Sequence, residues 1–158
     1  MGKAKPVPDG MAGVTPHLTV KGAAGAIDFY KKAFGATEIS RHNMPDGSIM
    51  HAAIKIGEGT VFLNDEIKEM GSKSPQSLGG SPVTLMMYVP DVDATVKRAV
   101  AAGAQVKMPV ANQFWGDRYG MIADPFGHTW EVATRQEDLS PAEMDRRSRE
   151  AMAQMAHK

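Results

Sequence analysis

Cysteine is absent from this 158-residue chain, which excludes disulfide bonds, thiolate catalysis and cysteine-ligated metals. No run of residues approaches the roughly 18 consecutive apolar residues that a membrane span needs. The N-terminal dozen residues contain no apolar stretch of the kind found in secretion signals. Eighteen basic residues balance eighteen acidic ones, without a dense basic block. We therefore expect a cytoplasmic protein with neither a membrane nor a nucleic acid as its partner.

What the chain does contain is an internal repeat. A short strand, an amphipathic helix and a Gly-Ala stop occupy residues 14–36, and the same pattern returns over residues 83–104. Val20 and Val89 end the two strands, and strand-like segments follow each helix. A duplicated module of this kind predicts two similar half-sheets that frame a shared cleft, which is where small molecules usually bind.

Hydrophobic periodicity and turn residues predict the elements of each module. The first module has a helix over 23–34 and strands over 14–20, 37–44, 48–56 and 59–65. The second has a helix over 92–102 and strands over 83–89, near 105–108, and over 117–123 and 128–134. Ser140-Pro141-Ala142-Glu143 is a capping box that starts a final helix.

These elements predict three regions. Residues 1–12 form a flexible N-terminus, residues 13–136 form the main domain, and residues 137–158 form the C-terminal helix. The modules within the domain span about 14–66 and 82–134. The Gly/Ser-rich segment 67–81 joins them, and a mobile linker is favoured there over a lid.

Three segments carry a family resemblance: VTPHLTVKGAAGAIDFYKKAFGA, SPVTLMMYVPDVDATVKRAVAAGA and WGDRYGMIADPFGHTWEVAT. They resemble the vicinal oxygen chelate superfamily of glyoxalases, bleomycin-resistance proteins and dioxygenases, and are most similar to its PhnB-like branch. The resemblance implies an α+β fold in which paired βαβββ modules form a cup-like mixed sheet, here followed by a C-terminal helix. It also implies a homodimer.

Metal-using members of that superfamily hold a divalent ion with histidines and glutamates at four equivalent strand positions. Carried onto this sequence, the resemblance places those positions at Thr15, Leu63, Thr84 and Glu131. Only Glu131 keeps a metal-binding side chain, whereas a transition metal typically needs three or more imidazoles and carboxylates. We therefore expect no cofactor at the usual site, although a divalent metal held elsewhere stays possible.

Side chains on the same strand faces, together with Trp115 on a predicted loop, complete a predicted ligand site. Its members are Thr15, His17, Leu63, Thr84, Met86, Tyr88, Trp115, Tyr119 and Glu131. Glu131 is interpreted either as a ligand-binding carboxylate and potential catalytic base or as a structural carboxylate. A shifted metal site made of His17, Asp65 and Glu131 is the alternative to a metal-free pocket. Two further histidines, His42 and His51, flank a Pro-Asp-Gly turn and are expected at the surface.

Two functions are consistent with this pattern. The favoured one is a dimeric small-molecule binding protein of the bleomycin-resistance type without the usual metal site. The alternative is a lyase or isomerase of the same fold that uses Glu131 as a base or employs the shifted metal site. The sequence contains no nucleophile elbow, no phosphate-binding loop and no dinucleotide fingerprint.

Overall fold

The computed structural model describes residues 4–156 and divides the chain into two compact units, residues 1–80 and 81–158. The first unit, module one, contains β1 (His17–Val20), α1 (Ala23–Phe34), β2 (Thr37–Asn43), β3 (Ile49–Ile56), β4 (Gly59–Asp65), a 3₁₀ turn (Lys68–Met70) and α2 (Pro75–Leu78). The second unit, module two, contains β5 (Thr84–Tyr88), α3 (Val92–Ala101), β6 (Gln105–Asn112), β7 (Asp117–Ala123), β8 (Thr129–Arg135) and α4 (Pro141–Ala156).

Each module builds its own four-stranded sheet. The strand order is β1-β4-β3-β2 in module one and β5-β8-β7-β6 in module two. The first and last strands of each module pair in parallel, and the other neighbours are antiparallel. Two mixed sheets, their helices and a C-terminal helix confirm the predicted α+β fold of βαβββ modules.

One face of each sheet is covered by the helix of its own module. In module one, Leu18 and Val20 of β1 are buried with Ile27 of α1, and α1 contacts β1, β3 and β4. In module two, α3 contacts β6, β7 and β8, and Ile122 and Val132 are fully buried. Apolar residues on these covered faces give each module its own core.

Most predicted boundaries agree with the structure. Helix α1 spans the predicted residues, and β4 and β7 match their predicted bounds. Strand β1 is shorter than predicted and begins at His17, while β6 extends further, to Asn112. The capping-box serine of α4 accepts a hydrogen bond from the Glu143 amide at 3.2 Å. No helix within residues 4–156 is long and apolar enough to cross a membrane.

Asp65, the last residue of β4, holds three parts of module one together. Helix α1 begins after Gly22, which has a left-handed backbone and provides no side-chain cap. Asp65 supplies the missing acceptor: its Oδ1 receives the amide protons of Gly22 and Ala23, both at 2.8 Å. Its Oδ2 receives the amide of Ile49 at 2.8 Å. One carboxylate thus caps α1 and fixes the start of β3.

Thr134 occupies the matching position in module two. Its Oγ1 accepts the amide proton of Val92 at 2.8 Å and donates to the carbonyl of Val89 at 2.8 Å. Asp91 adds a conventional N-cap by accepting the Ala94 amide at 2.9 Å. Asp65 and Thr134 are separated by the same number of residues as Val20 and Val89. The first and last strands of the two modules therefore repeat with the same offset in the sequence.

The segment between the modules carries structure of its own. Ser74 is fully buried, and its amide donates to Glu66 Oε1 at 2.6 Å. Hydrogen bonds from the Ser77 hydroxyl and from the amide and hydroxyl of Ser74 lower the pKa of Glu66 to about 2. The predicted linker 67–81 is therefore anchored to the end of β4 through Glu66.

Replacing Asp65 by Ala should destabilise the protein by about 2 kcal/mol, because three backbone amides lose their acceptor. Urea unfolding followed by circular dichroism measures this. Asp28→Ala is the matched control, because Asp28 is an exposed aspartate on α1, the helix that Asp65 caps. Its replacement should change stability by less than about 0.5 kcal/mol. Equal effects of the two substitutions would contradict the role assigned to Asp65.

The hydrogen bonds to Glu66 should make the stability of the folded protein depend on pH. The pKa of Glu66 is lower in the folded protein than its ordinary value of 4.5. The contribution of Glu66 to the free energy of unfolding is therefore complete above pH 4.5 and is lost as the pH falls toward 2. The melting temperature of Glu66→Gln should fall below that of the wild type at pH 6, and the gap should narrow on acidification. Glu58→Gln, at a fully exposed side chain, should show no such pattern.

Candidate functional site

The candidate site lies on the sheet face of module two that is turned away from α3, which we call the outer face. Met86 of β5 pairs with Glu131 of β8, which pairs with Met121 of β7, which in turn pairs with Met108 of β6. A single carboxylate therefore sits in a row of three methionines across the sheet. Met86 and Met108 are exposed at 42% and 43%, so this row offers an apolar surface with one anionic centre.

Tyr119 is the hydrogen-bonding partner of that carboxylate. Its side chain is almost fully buried, and its phenol donates to Glu131. Burial, the hydrogen bond and the nearby negative charge together raise the pKa of Tyr119 to about 12. Tyr119 thus stays protonated at neutral pH and is available to Glu131 as a hydrogen-bond donor.

Tyr88 adds a second aromatic ring to the outer face. Its hydroxyl donates to Asp117 Oδ2 at 2.7 Å, and this bond is the main reason why the pKa of Tyr88 is raised. The strand between them carries Ala133 opposite Tyr88, and this small residue leaves room for the ring to lie across the sheet. Although Tyr88 is 63% exposed, its ring is fixed in place by the buried Asp117.

The turn between β6 and β7 extends the aromatic surface. Trp115 lies in this turn, as predicted, and is half-buried. Its ring meets Phe114 and Tyr119 edge to face, with centroids 5.1 and 5.5 Å apart. Such edge contacts fix aromatic rings in defined orientations. Trp115, Tyr119 and Glu131 thus form one connected chain of contacts.

Module one presents a different surface on the corresponding face. His17 pairs with Phe62 across β1 and β4, and His51 contacts both rings, with centroids 5.6 Å from His17 and 4.7 Å from Phe62. Burial, followed by the neighbouring His17 and His42, lowers the pKa of His51. His42 and His51 are paired across β2 and β3. The outer face of module one is therefore aromatic and rich in imidazole.

The assignment of a family ligand position to Leu63 is wrong. Glu131 pairs with Met86, and the matching strand pair in module one joins His17 to Phe62, so Phe62 is the counterpart of Glu131. Leu63 pairs with Leu18 and is fully buried on the side of α1. Because side chains alternate along a strand, a count that is one residue off moves a residue to the opposite face.

The alternative metal set of His17, Asp65 and Glu131 is not supported by the geometry. Asp65 pairs with Val20 on the α1 side of the sheet, opposite the face that carries His17. Both Asp65 oxygens already accept backbone amides. Across residues 4–156, no group of three or more His, Asp or Glu side chains is arranged to hold a metal ion.

Sequence comparison identifies the family of this chain. The model of the glyoxalase/bleomycin resistance protein/dioxygenase superfamily matches residues 12–132. The chain belongs to this superfamily. An uncharacterized protein of Mycobacterium tuberculosis is 54% identical over 122 residues, covering 75% of this chain and 72% of its own. An uncharacterized Arabidopsis thaliana protein is 32% identical over 119 residues, covering 70% of each chain.

Solved structures of similar proteins agree with this assignment. TioX from Micromonospora sp. ML1 is 26% identical, with a TM-score of 0.60, and the match covers 82% of this chain and all of TioX. A gene product from Arabidopsis thaliana is 28% identical, with a TM-score of 0.63, covering 77% of this chain and 98% of that one. These similarities extend through both modules of this chain.

The superfamily includes metal-dependent enzymes. The side chains that this chain offers as metal ligands therefore bear on which reactions it could support. With the corrected register, the positions that the family resemblance marks hold Thr15 and Phe62 in module one and Thr84 and Glu131 in module two. Module one thus offers a neutral hydroxyl and a phenyl ring, and module two offers a neutral hydroxyl and one carboxylate. A divalent transition metal prefers several imidazole or carboxylate ligands. The residues present do not fit such a metal.

The Tyr119–Glu131 contact predicts a titration that can be measured. Replacing Glu131 by Gln removes the negative charge and weakens the hydrogen bond, while Tyr119 stays buried. The pKa of Tyr119 should therefore fall from about 12 toward, but not down to, its ordinary value. Ultraviolet difference spectra of tyrosinate formation measure this, with Tyr119→Phe identifying the signal. An unchanged titration in Glu131→Gln would show that the two groups do not interact.

Proposed function

We propose that this protein binds a small organic molecule on the outer face of module two, in the manner of the bleomycin-resistance members of its superfamily. The observation that carries the proposal is the single carboxylate of Glu131, which Tyr119 orients among methionine and aromatic side chains. An apolar surface with a few fixed polar groups is the usual composition of a ligand site.

The chemistry of this face defines the class of ligand. Met86, Met108 and Tyr88 supply exposed apolar and aromatic area, and methionine adapts to ligands of varied shape. Glu131 accepts a hydrogen bond or pairs with a cation, and the Thr84 hydroxyl lies further along the same face of β5. The ligand is thus an amphipathic molecule with an apolar body and a cationic or hydrogen-bond-donating group.

Residues of module one extend this proposal without being required by it. Thr15 and His17 are retained as ligand-binding candidates, and Phe62 replaces Leu63 in the set. A homodimer and assignment to the PhnB-like branch are part of the same proposal. The branch assignment is supported by the sequence similarity of segments such as AIDFYKKAFGA to members of that branch. Light scattering during gel filtration tests the dimer.

A lyase or isomerase is the second candidate, and the Tyr119–Glu131 pair is the observation that favours it. Glu131 would accept a proton from the substrate while Tyr119, which stays protonated below about pH 12, keeps the carboxylate oriented. The two candidates differ in what happens to the bound molecule. A binding protein releases its ligand unchanged, whereas an enzyme releases a product.

Binding of two dyes of opposite charge tests the main proposal. Thioflavin T is flat and cationic, whereas anilinonaphthalene sulfonate is apolar and anionic. Glu131→Gln should weaken the binding of thioflavin T at least about tenfold, because a charge-assisted contact is lost. The same change should leave the anionic dye bound as tightly or more tightly. Fluorescence titration measures both dissociation constants.

Glu58→Gln is the matched control, because it removes a carboxylate from a fully exposed side chain in module one. It should leave both dissociation constants unchanged. Equal thioflavin T affinity in the wild type and in Glu131→Gln would overturn the proposed site. So would a stoichiometric divalent metal in the purified protein that disappears in Glu131→Gln, since that would restore the metal chemistry of the family.

A further inference from the structure

We propose that α4 forms one wall of a second compartment of the ligand site, which receives an uncharged, flat aromatic group. A cavity of about 390 Å³ lies between the β6–β7 turn and α4. Phe114 and Trp115 border it from the turn, Tyr119 borders it from β7, and Ala151 and Met155 border it from the helix. Its volume is in the range of small-molecule pockets.

The position of α4 beside this cavity follows from a chain of contacts. The carbonyl of Gly116 accepts the amides of Gln136 and Glu137, both at 3.0 Å. The Glu137 carboxylate in turn accepts two hydrogen bonds from the Arg147 guanidinium, at 2.8 and 3.1 Å. The β6–β7 turn therefore holds the residues after β8, and these residues hold α4.

The close approach at the turn requires glycine. Gly116 is buried and has a φ of 93°, in the region that favours glycine. A Cβ at this position would lie 2.9 Å from the carbonyl oxygen of Glu137. The turn and the residues before α4 thus fit together at a point with no space for a side chain.

One face of α4 is turned toward the aromatic rings. Arg147, Ala151 and Met155 follow one another at intervals of four residues and so share a side of the helix. The small Ala151 leaves open space opposite the rings, and Met155 supplies an adaptable thioether. Met152 is 62% exposed and does not border the cavity, whereas Met155 borders it and is 67% exposed. The two methionines therefore differ in the side of the helix that they occupy and not in their exposure.

The lining determines what the cavity can hold. None of the described residues that border it carries a charge, and three of them are aromatic. Aromatic rings pack well against flat apolar groups in edge or offset contacts, while a charged group would lose its hydration there. The bordering side chains that carry polar groups are Tyr119, with its hydroxyl, and Gln113 and Gln154, with their amides. The cavity accordingly selects an uncharged aromatic group.

Tyr119 connects the cavity with the carboxylate. Its ring borders the cavity, and its hydroxyl donates to Glu131. If the proposed function at Glu131 is correct, one ligand spans both parts: an aromatic group lies beside Trp115, and a cationic or donor group reaches Glu131. The matched family region ends at residue 132, so α4 adds to the site a wall that the family region does not supply.

Binding of Nile red, an uncharged flat dye, tests the cavity in the full-length protein. Ala151→Arg places a long charged side chain on the cavity side of α4. It should weaken the binding of Nile red at least about tenfold. Met152→Arg introduces the same side chain at the neighbouring exposed position and should change the dissociation constant less than about twofold. Trp115→Ala should also weaken binding.

The outcomes separate this inference from the proposed function. If Glu131→Gln weakens thioflavin T binding but Ala151→Arg leaves Nile red binding unchanged, this inference is overturned and the proposed function stands. Circular dichroism checks helix content, and Met155→Arg replaces Ala151→Arg if the latter loses helix. Absence of Nile red binding to the wild type, or equal affinities in the cavity-side variant and Met152→Arg, would overturn the inference.

Discussion

Parallel pairing between the first and last strands of each module is the constraint on which the rest of the structure depends. It places β4 and β8 at interior positions of their sheets, next to β1 and β5. The register of these pairs decides which side chains join the helix-covered core and which lie on the outer face. The same pairing brings Asp65 and Thr134 to the N-terminal ends of α1 and α3.

The sequence predicted the elements well because their signals are local. The apolar stripe of α1, the Pro-Asp-Gly turn and the capping box at Ser140 each involve residues that are close in the chain. The full length of β6 was missed because its exposed residues show no clear alternation. Structure within 67–81 was also missed, since it depends on Glu66 bonding to the buried Ser74.

The site was harder to predict because it depends on contacts between distant strands. Glu131 was identified from the family resemblance, and Met86, Tyr88, Tyr119 and Trp115 were added to it as side chains that could line the same pocket. Module two places Glu131, Met86, Tyr88 and Tyr119 on its outer face. The assignment of Leu63 was wrong because matching Gly59 with Gly127 aligned the two modules one residue away from the observed register. Asp117 was missed as well, because its bond to Tyr88 links strands that are not adjacent in sequence.

The two tryptophans of the chain occupy opposite environments. Trp130 is 3% exposed and donates its indole proton to Asp124 at 2.9 Å, whereas Trp115 is half-buried in the β6–β7 turn. Their emission in the folded state therefore combines a shielded, hydrogen-bonded fluorophore with one that adjoins the aromatic cavity. The protein thus carries an intrinsic optical reporter at this turn, with a second indole as an internal standard and no need for labelling.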